Sequence, residues 1–289
     1  MPDLTPLYDW IGRALPFESM QARFMRQAMV GLLLLAPMAA AMGVQVVNFR
    51  MAFFADAISH SVFAGVALGL ILSVSPYASM PVFGVLVGLA IMAMRRRSAL
   101  SSDTVIGVVF SAVVAFGLAV VSRERAVARD MQMFLYGDIL TIGDGHILGL
   151  AALGAVLALF QAWGYNRMLY IGVNTALARA HRVQVGIYQY LYAGLLALVV
   201  VFSVWAVGVF LVTALLIVPA AAARNLARSA GGMFWWAIAI AAFSAVAGLL
   251  ISAQDWARTA TGATIILVGF VWFALSELLA VFGARRKAK

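Results

Sequence analysis

An aspartate and a histidine, Asp56 and His60, stand four residues apart in the stretch FFADAISHSVFAGVALG, which runs from Phe53 to Gly69. Apart from two serines, the rest of that stretch is apolar. A carboxylate oxygen and an imidazole nitrogen are both zinc ligands, and the same pair suits manganese or iron. Positions i and i+4 share one face of a helix, so the two side chains point the same way. A charged carboxylate at the centre of a bilayer costs about 2.5–3.5 kcal/mol on insertion scales, so this face must meet protein or water rather than lipid. Two ligands half-fill a tetrahedral site, and a second copy of the chain across a two-fold axis would supply the other two. The alternative is a buried polar clamp, in which Asp56 and His60 bond each other or neighbouring helices. Spacing alone leaves both readings open.

The elements that must position this pair follow from composition. The chain has 289 residues, 65% hydrophobic and 11% charged, with a mean hydropathy of +1.01. Soluble domains carry roughly a quarter charged residues, so no water-facing surface can be built from this chain. Apolar runs fall at about 27–47, 52–72, 81–94, 104–122, 146–163, 187–204, 206–222, 232–251 and 262–282. Most have the length of a membrane-crossing helix, about 17–25 residues. The ~10-residue alternation of barrel strands is missing. The expected fold class is therefore an all-α polytopic membrane protein of eight or nine spans, with nine favoured. The sixth and seventh runs are barely separated and read as one broken helix or a re-entrant pair.

With no cysteine, disulfides, Cys-ligated zinc and iron–sulfur clusters are excluded. The net charge of +9 reads as loop charge that orients the chain, not as a nucleic-acid surface. Thirteen of the twenty Lys and Arg fall on one side: Arg50, Arg95 to Arg97, Arg167, Arg179, Arg182, Arg224, Arg228 and the tail with Arg285, Arg286, Lys287 and Lys289. That side is expected to be cytoplasmic, with the C-terminus inside and, for nine spans, the N-terminus outside. Arg13, Arg23 and Arg26 argue against an outer N-terminus unless ALPFESMQARFMRQAM lies along the interface as a helix. Residues 1–26 are thus read as an N-terminal tail or interfacial helix, 27–282 as the transmembrane domain and 283–289 as a basic cytoplasmic tail. The first residues, with Asp3, Asp9, Glu18 and prolines, lack the basic-then-apolar pattern of a signal peptide.

Other polar residues read more simply. Ser101, Ser102 and Asp103 form a helix N-cap with an acid in the first turn. Asp138 and Asp144 are read as solvated acids of an outer loop from Ser122 to about Gly145, and Glu277 as an acid that snorkels to the cytoplasmic side. Whether any of these three takes part in a transport pathway is left open. His146 and His181 stand alone and are not assigned to a metal. Gly65 with Gly69, and Gly84 with Gly88, are spaced for close helix packing. The cytoplasmic segment 165–183 is expected to hold a short helix capped by Asn174 or Thr175, carrying Arg179 and Arg182. A partner-docking role is the natural one for such a segment, with anionic headgroups as the alternative. No phosphate-binding GxxxxGK[ST] occurs, so energy must come from a partner or an ion gradient.

Five stretches in order, RMAFFADAISHSVFAGVALG, SSDTVIGVVFS, FLYGDIL, LVTALLIVPAAAARNLARS and ATGATIILVGFVWFALS, together resemble the membrane subunits of zinc/manganese-type ABC transporters. The resemblance covers about Phe24 to Phe282. It implies a type II importer-like permease in the inner membrane of a bacterium. It also implies a second copy of itself, a cytoplasmic ATP-binding subunit and an extracytoplasmic metal-binding protein. The family's D-x-x-x-H falls on Asp56 and His60, which would then hold the passing metal, zinc before manganese or iron. The metal is cargo, and no permanently bound cofactor is expected. The family's coupling helix falls on Asn174 to Val183, with Asn174, Thr175, Ala178, Arg179 and Arg182 as the residues expected at the ATPase. Relatives often carry acids at the start of that helix and a glycine near its end, where this chain has Asn174-Thr175 and His181-Arg182. Membrane lipid is a further partner. Hydrolysis by this chain is not expected. The rival classes are a proton-coupled secondary transporter using Asp56 and His60 as a relay, and a haem-bearing redox subunit, for which a second mid-span histidine is lacking.

Overall fold

A computed structural model describes residues 4–122 and 139–287, and every element in it is helical. In chain order these are α1 (Thr5–Ala14), α2 (Arg23–Asn48), α3 (Ala52–Ile71), α4 (Pro76–Arg97) and α5 (Ser102–Val121), then α6 (Asp144–Val173), α7 (Thr175–Ala180), α8 (Val185–Val207), α9 (Val209–Leu226), α10 (Ala230–Ser252) and α11 (Thr261–Lys287). Asp138, most of FLYGDIL, Arg123, Arg125, Arg129 and Lys289 lie outside the described residues. Eight of the described helices are long and apolar enough to cross a membrane, and the chain is a multi-pass membrane protein.

The seventh apolar run, which the favoured count of nine spans needs, is the shorter helix α9, and it is not among those eight. It is separated from α8 by Gly208, whose backbone sits at φ 80 and ψ 164. That region is essentially closed to residues with a Cβ, so this glycine writes the break into the sequence. Helix boundaries elsewhere follow local chemistry. Pro76 opens α4 in its first turn, where the missing N–H is not needed. Ser101 caps α5 by accepting from Thr104 N at 3.2 Å, and Ser229 caps α10 by accepting from Gly232 N at 3.1 Å. Helices α2, α3 and α7 close on a left-handed residue that is not glycine: Arg50, Ser73 and Arg182, at φ 53, 55 and 59. In each, the next N–H reaches back five residues: Met51 to Val46, Val74 to Gly69 and Val183 to Ala178.

Three sequence expectations change here. The interfacial helix is not ALPFESMQARFMRQAM; α1 occupies Thr5–Ala14, and α2 already begins at Arg23. Pro16 and the extended backbone around Phe17 separate the two. The segment 165–183 holds more than the one short helix expected, because α6 continues unbroken to Val173. Nothing in Tyr165–Val173 stops a helix, and Asn174, with its extended backbone, is the first residue that does. Asp144 is not a solvated loop acid, as its bonds below show.

The described chain divides into two compact units. One contains residues up to Val44, 138–156 and from Ala214 onward; the other contains 45–137 and 157–213. In the first unit, Asp144 at the start of α6 accepts from Tyr8 Oη at 2.5 Å, Gln27 Nε2 at 2.8 Å and Arg23 Nη2 at 3.1 Å. Arg26 adds a pair to Asp9 at 3.0 Å and donates to the Met20 carbonyl. These bonds strap α1 to the starts of α2 and α6. Burial, and then the Asp144 carboxylate, push the Tyr8 phenol from 10.0 up to about 12. Deeper in this unit α2 and α9 approach backbone to backbone. A Cβ on Gly43 would fall 1.8 Å from the Leu216 carbonyl oxygen, so only glycine fits. Glu277 on α11 accepts from Asn225 Nδ2 at 3.0 Å.

In the second unit α3 is the centre, packed against α4, α5 and α8. The glycine pairs of the sequence lie at these contacts. Gly65 meets Met80 and Phe83 of α4, while Gly84 and Gly88 meet Val201 and Ala197 of α8. Small residues let the helices close to van der Waals range, which replaces the hydrophobic driving force that lipid does not supply.

Candidate metal-binding face

Helix α3 is buried on nearly every side. Phe54, Ala55, Ala57, Ile58, Ser59 and Ser61 are all closed off by protein. Through its first three turns, one face stays open in part: Ala52, Asp56, His60 and Phe63 are half-buried, and Phe53 beside them is 59% exposed. This is the face that the i, i+4 rule assigns to Asp56 and His60. Ser59 and Ser61 spend their hydroxyls on backbone carbonyls of their own helix, Asp56 O at 3.0 Å and Ile58 O at 2.6 Å. They leave the open stripe to the two ionisable groups.

Each of the pair is steadied from another helix of the same unit. Asp56 Oδ1 accepts from Thr213 Oγ1 of α9 at 2.5 Å. A carboxylate has about four acceptor positions, so one donor fixes its orientation and leaves most of its capacity free. The His60 ring lies edge-on against Phe110 of α5, centroids 5.3 Å apart, with Phe63 at 6.0 Å. Its nitrogens make no hydrogen bond to a described residue. The polar-clamp reading asked for a bond between the pair or to neighbouring helices; the Thr213 bond answers it for Asp56 alone. Among the described residues, no group of three His, Asp or Glu is close enough to hold a metal ion. One chain thus offers an oxygen and a nitrogen on a partly open helix face.

Thr213 and Phe110 were not picked out by sequence reasoning. Thr213 is a lone hydroxyl in the apolar opening of LVTALLIVP, and that isolation was the available signal. Nothing in the sequence alone marks Phe110 among the many apolar residues of α5.

The expected docking residues sit on α7 and its ends. Asn174 is the N-cap, its Oδ1 accepting from Ala176 N at 2.8 Å and Leu177 N at 3.2 Å. Thr175, Arg179 and Arg182 are exposed. Ala178 is fully buried, so it seats the helix and cannot itself touch a partner. Val173, 81% exposed, and Leu177 add an apolar strip that sequence reasoning did not name. His181 stacks on Tyr170, centroids 5.9 Å apart. Arg182 takes the left-handed position that a glycine would fill more cheaply, by about 1 kcal/mol.

The chain is 32% identical over 246 residues to the high-affinity zinc uptake system membrane protein ZnuB of Haemophilus influenzae, covering 84% of this chain and 93% of that one. It is 31% identical over 260 residues to the manganese import system permease protein ScaB of Streptococcus parasanguinis, covering 90% and 92%. A solved structure of PsaBC from Streptococcus pneumoniae in complex with Fab superposes with a TM-score of 0.75 at 30% identity, covering 93% of this chain and 95% of that one. The sequence pattern of the ABC 3 transport family matches residues 21–280. By that match, which spans most of its length, the chain belongs to the ABC 3 transport family.

Proposed function

We propose that this chain is the membrane permease of an ATP-driven importer of divalent transition-metal ions, with zinc as the first cargo. The observation that carries the reading is the open stripe of α3, where Asp56 and His60 offer an oxygen and a nitrogen one turn apart with ligating capacity to spare. A tetrahedral ion needs four such donors. A second copy across a two-fold axis supplies the other two and turns two half-sites into one. Thr213 aims the carboxylate, and the flanking aromatic rings limit how His60 can turn. Binding there must be weak enough for release, since a very tight site would trap its cargo. The imidazole must be neutral to ligate, so protons compete with metal and uptake falls on acidification.

ATP is hydrolysed by a cytoplasmic partner, for which α7 is the docking element. Its exposed Leu177 and Arg179, with Val173 at the end of α6 and Arg182 just beyond α7, form an apolar strip flanked by cations. Closure of the ATPase dimer pushes on this element, and the cation site opens first outward and then inward. An extracytoplasmic binding protein delivers the ion.

Manganese is the second reading. It is favoured by the manganese import system permease ScaB, as similar to this chain as the zinc relative. A carboxylate with an imidazole suits both ions. The deciding experiment is reconstitution with the ATPase and the binding protein in vesicles, with uptake measured for each ion. Faster ATP-dependent uptake of zinc than of manganese supports the first reading, and the reverse order replaces it with the second. Metal uptake without ATP, driven by a proton gradient, would overturn both.

A further inference from the structure

Helices α4 and α8 lie side by side in the second unit, and a groove of about 650 Å³ runs between them. Val85 and Leu89 form one wall; Ile187, Leu191, Leu195 and Leu198 form the other. The lining is apolar except at one end, where Arg96 and Tyr190 stand. The Arg96 guanidinium carbon lies 5.3 Å from the Tyr190 ring centroid, and Arg96 Nη1 is 2.2 Å from where a Cβ on Gly186 would be. The side chain is thus laid across the start of α8 by a bare backbone on one side and a ring on the other. Its neighbour Arg95 is spent internally, donating to Ser102 Oγ at 2.7 Å and to Met51 Sδ at 3.0 Å. Arg96 is exposed, and no described carboxylate is within ion-pairing distance of it.

The groove has the dimensions of one leaflet. From Val85 to Arg96 the helix rises about 16 Å. Half of a bilayer's hydrocarbon core is about 15 Å. The basic end belongs to the Arg95–Arg97 run, which the charge distribution places at the cytoplasmic surface. A slot one leaflet long, apolar along its length and cationic where the headgroups begin, matches one kind of molecule. We propose that this groove holds the acyl chain of an anionic phospholipid of the cytoplasmic leaflet, with the Arg96 guanidinium on its phosphate. The planar fork of arginine suits phosphate oxygens, and the Tyr190 ring holds that fork in place. A second copy of the chain fits less well. Neither α4 nor α8 carries an acid, so this face meeting itself across a two-fold axis would bring only arginines together. The proposal is independent of which metal the protein carries.

The test is native mass spectrometry of the full chain, purified from nanodiscs made with phosphatidylglycerol or with phosphatidylcholine of the same acyl chains. Wild type should retain phosphatidylglycerol about fivefold better, the weight of one basic residue at an anionic surface. Arg96→Ala should erase that preference, and Arg96→Lys should keep part of it. A Cβ on Gly194, which lines the groove, meets nothing within 4 Å, so Gly194→Leu starts into open space and should lower retention of both lipids. Helical melting curves of all three variants confirm that they are folded. Equal retention of the two lipids by wild type, or an unchanged preference in Arg96→Ala, overturns the proposal. So does unchanged lipid with altered self-association in Gly194→Leu, which would give the groove to a second copy.

Discussion

Asp144 and Asp56 are both aspartates on long apolar helices, and the chain surrounds them differently. Asp144 collects a phenol, an amide and a guanidinium, which fill most of its acceptor positions. Asp56 has one hydroxyl, from Thr213, and a histidine on the same open face that bonds to nothing described. The first carboxylate is saturated and holds α1 in place. The second is aimed but not satisfied, and its spare capacity is what a passing cation can use. Burying or half-burying a polar group without partners is costly, and on the proposed function a passing cation would complete this pair.

The largest effect that tests this contrast is on transport. If the proposed shared site is right, Asp56→Ala and His60→Ala should each lower ATP-dependent metal uptake by about 100-fold or more, because each would remove a ligand from both of its halves. The melting temperature should hardly change, since neither residue holds a network together. Asp144→Ala should do the opposite, loosening α1 while leaving uptake within about twofold. Uptake measured in vesicles beside thermal melting separates the two outcomes. If Asp144→Ala stops uptake while Asp56→Ala does not, the roles are reversed and the contrast collapses.

A smaller effect is expected at Thr213, a positioning residue on the proposed function. Thr213→Val keeps the shape and removes the hydroxyl, freeing Asp56 to rotate. Uptake should lose about tenfold, mainly through a raised KM for the metal, as is usual when a group that orients a metal ligand is removed. Thr213→Ser should restore it. An unchanged KM in Thr213→Val would show that Asp56 does not need its one donor.

Much of this was legible from residue types. The helical class, the packing glycines and the shared face of Asp56 and His60 on α3 follow from hydropathy, small-residue spacing and the i, i+4 rule. Asn174 as a cap was legible because its side chain mimics the carbonyl that the first turn lacks. The partners of Asp144 were not, because Tyr8, Gln27 and Arg23 come from chain positions more than a hundred residues away, and nothing local points to them. The same holds for Thr213, which is 157 residues from Asp56. The extent of α6 was not legible because its apolar run ends at about 163, although the polar residues beyond it, Asn166 and Arg167, are tolerated in a helix. Arg167 is held there by Tyr188 of α8 and by the face of Trp163 one turn before it.

The α7 cap gives a third, smaller effect on the satisfied side of the contrast. Asn174→Ala strands two N–H groups at the start of a helix of six residues, at a cost of about 1 kcal/mol. On the reading that α7 transmits the stroke, ATP turnover by the assembled complex should continue while metal uptake per ATP falls about fivefold. Asn174→Asp keeps the cap and should keep coupling. Loss of ATPase binding in both variants would instead mean that the side chain itself contacts the partner.

The smallest effect is at Tyr8, and it probes the saturated carboxylate most directly. Tyr8→Phe removes one of three donors to Asp144 and leaves Gln27 and Arg23 in place. Amide exchange across Thr5–Ala14 should quicken by roughly fivefold, the weight of one ordinary hydrogen bond, with metal uptake unchanged. The pH dependence has a definite sign. A phenol raised to about 12 keeps its proton in the folded chain, so the stability it contributes is complete below its ordinary value of 10.0 and is lost as the pH climbs through about 12. Exchange in α1 of the wild type should therefore show no Tyr8-dependent release at neutral or mildly alkaline pH, once the intrinsic rate is divided out. In Tyr8→Phe the alkaline step should vanish. An alkaline step that persists in the variant would mean that Asp144 is held by its other two donors and that the phenol is a bystander.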